Sequence, residues 1–146
     1  MGRRAALASG TKEKFPQKES CVSGITFDAG GLIALDRNDR RVIALVARAM
    51  ERGFRITIPA TALAQAIRNP SRQVRLSRLI RQAGTDLIAL DGPHATAVGL
   101  LLAKTATAGV VDAHVAVCAQ NAGQAIVTSD PADFRRIAPG LQLVTV

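Results

Sequence analysis

Short apolar runs of β-type residues recur along this chain, each followed by a helical stretch, and that alternation narrows the possible folds more than any other feature. The runs are Gly24–Asp28, Arg55–Ile58, Asp86–Leu90, Ala125–Val127 and Leu141–Val146. Several carry apolar side chains at successive positions instead of alternating ones, which suits a sheet covered on both faces. Strands separated by helices in this way imply an α/β fold with a mostly parallel sheet. No internal repeat is visible.

Between the strands the spacing predicts helices over Leu32–Asp36, Arg40–Arg52, Ala60–Arg68, Ser71 to about Ala83, Pro93–Thr107, Ala113–Asn121 and Pro131–Ile137. In the second of these, Val42, Ile43, Leu45, Val46, Ala49 and Met50 fall on one face, and Gly53 ends it. Asn69-Pro70-Ser71 should break the chain, because proline excludes its predecessor from the α region, and Ser71 is expected to cap the next helix.

The 146 residues suffice for one domain without a disulfide or a structural metal. The two cysteines, Cys21 and Cys118, lack C-x-x-C spacing, which fits a reduced, cytoplasmic protein. No run reaches the ~18 apolar residues of a membrane span, so no membrane partner is expected. Residues 1–23 have no periodicity and read as a disordered basic leader, with the folded domain over 24–146. The net charge is +8, of which the leader holds +3. A basic surface draws in polyanions, nucleic acid among them. Base stacking would be a minor mode, since there are four Phe and no Tyr or Trp.

Four acids stand in a shared context. Asp28 follows the first strand, Asp130 follows the fourth strand through Thr128 and Ser129, Asp133 is one helical turn further on, and Asp112 sits at a helix start. Singly, each could be an N-cap or a surface charge; Asp130-Pro131-Ala132-Asp133 has the form of a capped helix start. Carboxyl ends of strands in a doubly wound sheet lie along one edge, so Asp28 and Asp130 would face one crevice if their strands are neighbours. Carboxylates gathered there repel one another, by ~4 kcal/mol for a pair 4 Å apart at an effective dielectric near 20, unless a cation joins them. Oxygen-only donors suit Mg²⁺ or Mn²⁺ rather than Zn²⁺. Neither His94 nor His114 has a ligand spacing, and no phosphate-binding glycine loop or nucleophile elbow is present. A hard ion beside a basic surface points to phosphodiester chemistry.

At these residues the sequence resembles a family. Gly24-Ile-Thr-Phe-Asp28-Ala-Gly-Gly-Leu-Ile-Ala-Leu, the Pro59–Arg68 helix, Val111-Asp112-Ala113-His114 and Thr128-Ser-Asp130-Pro-Ala-Asp133-Phe134 look like a PIN-domain ribonuclease, nearest to the toxin of bacterial VapBC-type toxin–antitoxin pairs. The resemblance covers residues 24–146 and implies a three-layer α/β/α fold whose five-stranded parallel sheet has the order 3-2-1-4-5. It also implies a Mg²⁺- or Mn²⁺-dependent endoribonuclease acting on tRNA or rRNA, a cognate antitoxin partner and a homodimer. Asp28, Asp112, Asp130 and Asp133 match the family's acidic metal ligands, with Thr128 and Ser129 in support.

One position departs from the family. Gln65 stands where a glutamate is usual, which removes a negative charge and weakens metal binding. Gln65 is therefore expected to support the site rather than to anchor an ion, and Arg68 and Arg72 beyond it to hold RNA. An alternative follows: a catalytically weakened PIN-fold protein acting as an RNA-binding or antitoxin-binding regulator. A third reading, an unrelated α/β protein whose acids only cap helices, requires the four carboxylates to lie apart.

Overall fold

Ile25, Phe27, Ile56, Ile58, Ile126 and Val127 are almost wholly shielded from solvent, and these strand residues make the middle of the molecule. Burying each contributes roughly 1.5–3 kcal/mol, so the apolar runs drive sheet formation directly. The computed structural model describes residues 23–107 and 109–146, so the leader expected over 1–23 lies outside them except for Ser23. Ser23 is bonded to the sheet end: its amide donates to Gly123 O and its carbonyl accepts from the Arg55 amide.

The strands are β1 Gly24–Phe27, β2 Arg55–Pro59, β3 Thr85–Ile88, β4 Ala125–Thr128 and β5 Leu143–Thr145. All pairings are parallel, in the order β3-β2-β1-β4-β5, as the resemblance implied. The register sets Phe27 opposite Val127, so the residues that leave β1 and β4 emerge side by side. At the other end, Thr26 Oγ1 donates to Gln124 Oε1 at 2.7 Å and locks the same two strands. The edge strand β3 is held by Arg55, whose guanidinium grips Asp86 with two bonds of 3.0 and 2.6 Å.

The helices are α1 Ala29–Asp36, α2 Arg40–Glu51, α3 Ala60–Ala66, α4 Val74–Ile80, α5 Gly92–Thr105, α6 Val110–Ala122 and α7 Pro131–Ile137. Right-handed crossovers put α1 to α4 on one face of the sheet and α5 to α7 on the other. The packing agrees: α1 lies on α2, α3 and α4, while α6 lies on α5 and α7. Helix α3 also reaches α6, which joins the two layers.

Several boundaries differ from the periodicity. The helix expected over Ala60–Arg68 ends at Ala66, and the one expected from Ser71 is a 3₁₀ turn, Pro70–Arg72, followed by α4 from Val74. The cause is Gln73. Its side-chain Oε1 accepts from the Arg68 and Asn69 amides and its Nε2 donates to Ala66 O, so one buried amide replaces the helical bonds there. Ser71 does not cap; its hydroxyl donates to Asn69 Oδ1. Strand β3 starts one residue earlier and ends two earlier than Asp86–Leu90, and the last strand is shorter than Leu141–Val146.

Among the described residues no single helix is long and apolar enough to cross a membrane. Cys118 is a buried, unbridged thiol whose burial pushes its pKa up to about 12, which makes it chemically inert at neutral pH.

Candidate active site

Asp28 leaves β1 at the point where the strand order reverses, and it is buried. It is also the N-cap of α1, its Oδ1 accepting from the Gly31 amide at 2.6 Å. The turn is tight because α1 starts against β4. A Cβ on Gly31 would stand 2.7 Å from Val127 O, and one on Gly30 would collide with the Ser129 hydroxyl. At Gly31 the obstacle is backbone and only glycine fits, whereas at Gly30 the Ser129 hydroxyl would have to turn away; that hydroxyl lies beside the turn that carries the Asp28 carboxylate.

Thr128, the last residue of β4, is fully buried and connects the two strand-end acids. Its hydroxyl bonds the Asp28 carboxylate and accepts from the Asp130 amide at 2.9 Å. A hydroxyl has one proton and two lone pairs, so it can serve both partners at once.

Asp130 occupies the N-cap position of α7, yet its side chain makes no capping bond. This corrects the capped helix start expected from Asp130-Pro131-Ala132-Asp133. The Asp130 backbone has φ −136° and ψ 77° at that position. Asp133, in the first turn of α7, has its Oδ1 3.7 Å from Arg136 Nη2 at the surface. Asp112 lies in the first turn of α6, which begins at Val110 rather than Ala113. Asp112 and Asp133 line one open cavity of about 500 Å³ with Thr105, Thr107, Gly109 and Arg136.

The four carboxylates act on one another. Burial pushes the Asp28 pKa up and the charge on Asp130 adds to this, while bonds from Thr128, Gly31 and Gly30 oppose it. Asp112 is also pushed up, first by burial and then by Asp133, Asp28 and Asp130 in turn. The site is therefore one concentration of negative charge whose two more buried members hold protons more tightly than free carboxylates. Among the described residues, no three His, Cys, Asp or Glu side chains stand in a ready-made coordination shell. Oxygen donors of this kind have the chemistry for a hard divalent cation.

The other expected residues lie elsewhere. Gln65 is exposed in the last turn of α3. Arg68 and Arg72 line a separate cavity with Arg37, at the carboxyl ends of α1 and α3. The histidines lie apart from the acids' hydrogen bonds. His94 Nδ1 is 3.0 Å from Asp91 Oδ1, and its ring stands edge-on to that of His114 at 5.7 Å.

Sequence reasoning missed the bond between Thr61 Oγ1 and His114 Nδ1, 2.7 Å long, which fixes α3 against the start of α6. Thr61 and Gln65 are four residues apart on one helix, so they share a face. Gln65 itself is exposed and makes no side-chain hydrogen bond among the described residues. Arg136, on the rim of the acidic cavity, was also missed; it follows Asp133 by three residues, the spacing of a helical ion pair.

A search of the curated proteins finds no match. Solved structures with the same fold include VapBC2 from Rickettsia felis bound to a DNA fragment from their promoter. It is 17% identical with a TM-score of 0.63, over 83% of this chain and 97% of that one. DNA-bound VapBC from Salmonella typhimurium is 22% identical with a TM-score of 0.61, over 84% of this chain and 97% of that one. FitAcB from Neisseria gonorrhoeae is 16% identical with a TM-score of 0.56, over 83% and 96%. At these identities the likeness is one of fold. The model of the PIN domain family, by contrast, matches the sequence itself over residues 25–139, from the first strand through α7, and the chain belongs to that family.

Proposed function

We propose that this chain is a divalent-metal-dependent endoribonuclease, the toxin of a toxin–antitoxin pair. The observation that supports it most is that β1 and β4 pair side by side, so Asp28 and Asp130 leave adjacent strand ends at the switch point, with Asp112 and Asp133 lining one cavity near them. Acids gathered so closely cost stability, and a bound Mg²⁺ or Mn²⁺ would offset that cost. Asp28, Asp112 and Asp130 would hold the ion, and Asp133 would join them directly or through water. The ion would supply Lewis acidity and a water of lowered pKa.

The remaining work falls to the chain itself. Thr128 holds the Asp28 carboxylate and the Asp130 backbone in fixed relation, so the two strand ends cannot drift apart. Asp112 or Asp133, each facing the open cavity, is placed to orient an attacking water and take its proton. Arg136 on the cavity rim can meet the charge of a phosphodiester. A cognate antitoxin is proposed as the partner because the VapBC neighbours share this fold, and RNA, of the tRNA or rRNA class, as the substrate.

A second reading is favoured by Gln65, which lacks the charge of a glutamate: the chain binds RNA or an antitoxin without turnover. Incubating the purified chain with structured RNA in Mg²⁺ or Mn²⁺ separates the two. The nuclease reading expects cleavage that EDTA and Asp28→Asn abolish. Binding with no cleavage of any RNA, in Mn²⁺ as well as Mg²⁺, would favour the second.

A further inference from the structure

Three arginines from two distant parts of the chain surround one cavity on the helical layer that covers α1. Arg37 follows α1, Arg68 follows α3, and Arg72 ends the 3₁₀ turn; with Ile33, Asp36, Ala66, Asn69 and Gln73 they line about 290 Å³. Among the described residues none of the three guanidiniums is in an ion pair. Asp36 is the one acid in the lining, which leaves a net charge of +2 there. The carboxyl ends of α1 and α3 draw cations toward this spot, but at about half a charge each they offset only about one of the two.

The cavity is built and not incidental. Gln73 is buried, and its three bonds to Ala66, Arg68 and Asn69 hold the turn that presents Arg68 and Arg72. The apolar surface of the lining comes from Ile33, half-buried and packed on the core, since Ala66 is fully buried. An apolar floor under a cationic rim suits a ligand with one anionic and one flat or apolar part. The volume is at the lower end of small-molecule sites, about that of a single nucleotide.

We infer that this cavity is a subsite for one nucleotide of single-stranded RNA, with its phosphate on Arg37, Arg68 and Arg72 and its nucleoside against Ile33. The inference rests on the ribonuclease reading for its choice of ligand. Helix α1 connects the two places: Asp28 caps one end and Arg37 caps the other, with eight residues between them, or about 12 Å. Guanidinium forks match phosphate oxygens, and phosphate contacts set the position of a strand without reading its sequence. A duplex cannot place a base in such a cavity, whereas a single strand can splay one out.

The test is binding of a short fluorescein-labelled single-stranded RNA of mixed sequence, followed by anisotropy in EDTA so that no cleavage contributes. Arg68→Ala and Arg72→Ala should each weaken binding about tenfold, as expected for losing one charge-assisted bond. Each should also make the dependence of log affinity on log salt shallower by about 0.7, the value for one phosphate of a single strand. Arg72→Lys should recover the salt slope but only part of the affinity, because the charge remains and the fork is lost. Lys104→Ala, on α5 across the sheet, is the control and should change neither.

Unchanged affinity and slope in the arginine variants, or no RNA binding by the unaltered chain at low salt, would overturn the inference. So would arginine-dependent binding of a polyglutamate peptide without RNA binding, which would assign the cavity to an acidic protein. The nuclease reading is judged apart from this: cleavage with arginine variants that bind normally sinks the subsite alone, and arginine-dependent binding without cleavage sinks the nuclease alone.

Discussion

Thr61 Oγ1 on α3 and His114 Nδ1 on α6 lie 2.7 Å apart and join the two helical layers across 53 residues of chain. His114 is fully buried, and its Nε2 has no hydrogen-bond partner among the described residues, although the Ala89 backbone lies close enough to favour the ring's charged form slightly. Burial first, and then the charge on His94, hold the His114 pKa below its ordinary value of 6.5. The Thr61 bond is thus the main polar support of a neutral imidazole in the core.

Replacing Thr61 by valine keeps the shape and removes the hydroxyl. Stability should fall by about 1–3 kcal/mol, the usual cost of orphaning a buried polar atom. Urea unfolding should show a lower midpoint with an unchanged slope. The lowered His114 pKa adds a pH dependence with a definite sign. The folded state binds the proton less well than the unfolded one, so the contribution is complete above 6.5 and is lost as pH falls toward the folded value. His114→Asn should remove that acid-side loss.

Asp28→Asn should separate stability from activity. Burial and the neighbouring acids raise the Asp28 pKa above its ordinary 3.8, so the folded chain holds the proton more tightly than the unfolded chain does. Stability then falls as pH climbs from 3.8 through the raised folded value, and it remains reduced at neutral pH. Asparagine keeps the bond from the Gly31 amide, being as good an N-cap as aspartate. In EDTA at neutral pH the variant should therefore be more stable, while RNA cleavage falls by ~10²-fold or more. A melting temperature that drops in EDTA would contradict the placement of Asp28 in a repulsive cluster.

The sheet and its acids were legible because both are local. Each apolar strand ends on a recognisable residue, and Asp28 and Asp130 follow β1 and β4 directly, so the strand order alone makes them neighbours. What escaped the sequence depends on side chains that meet across the fold. Gln73 ends α3 early through bonds that no helical period encodes. Asp130 has the form of a cap, but Thr128 bonds its backbone amide, and its side chain is left to the acidic cluster. Arg37 lies 31 residues before Arg68 in the sequence, and only the packing of α1 on α3 brings them to one cavity.

Gly31→Ala tests the close approach that seats α1 on β4. A Cβ there would meet Val127 O at 2.7 Å and Phe27 Cδ1 at 2.9 Å, and the carbonyl belongs to a strand that cannot yield. Forced packing of this kind costs about 1–3 kcal/mol. Because the same turn places Asp28, cleavage should fall by more than the lost stability explains, even well below the melting temperature. Gly99→Ala, where a Cβ would meet nothing within 4 Å, is the matched control and should leave cleavage unchanged.

Gln65→Glu asks whether the missing charge limits the site. Gln65 is exposed, so an added carboxylate has little desolvation to overcome, and its effect should come from its field at the acids. If residue 65 reaches the acids, as its place four residues after Thr61 on α3 would allow, the substitution adds one negative charge to a cluster that already repels itself. Without metal the variant should be less stable, with Asp28 and Asp112 raised further and the neutral-pH penalty deepened. With Mn²⁺ the sign should reverse, since a fifth carboxylate shares the ion's charge, and calorimetric titration should show affinity about tenfold higher, equivalent to about 1.4 kcal/mol. Cleavage should rise with it if metal occupancy limits turnover. Equal Mn²⁺ affinity in the two proteins would instead place residue 65 out of reach of the ion, and the glutamine would be a surface residue of α3.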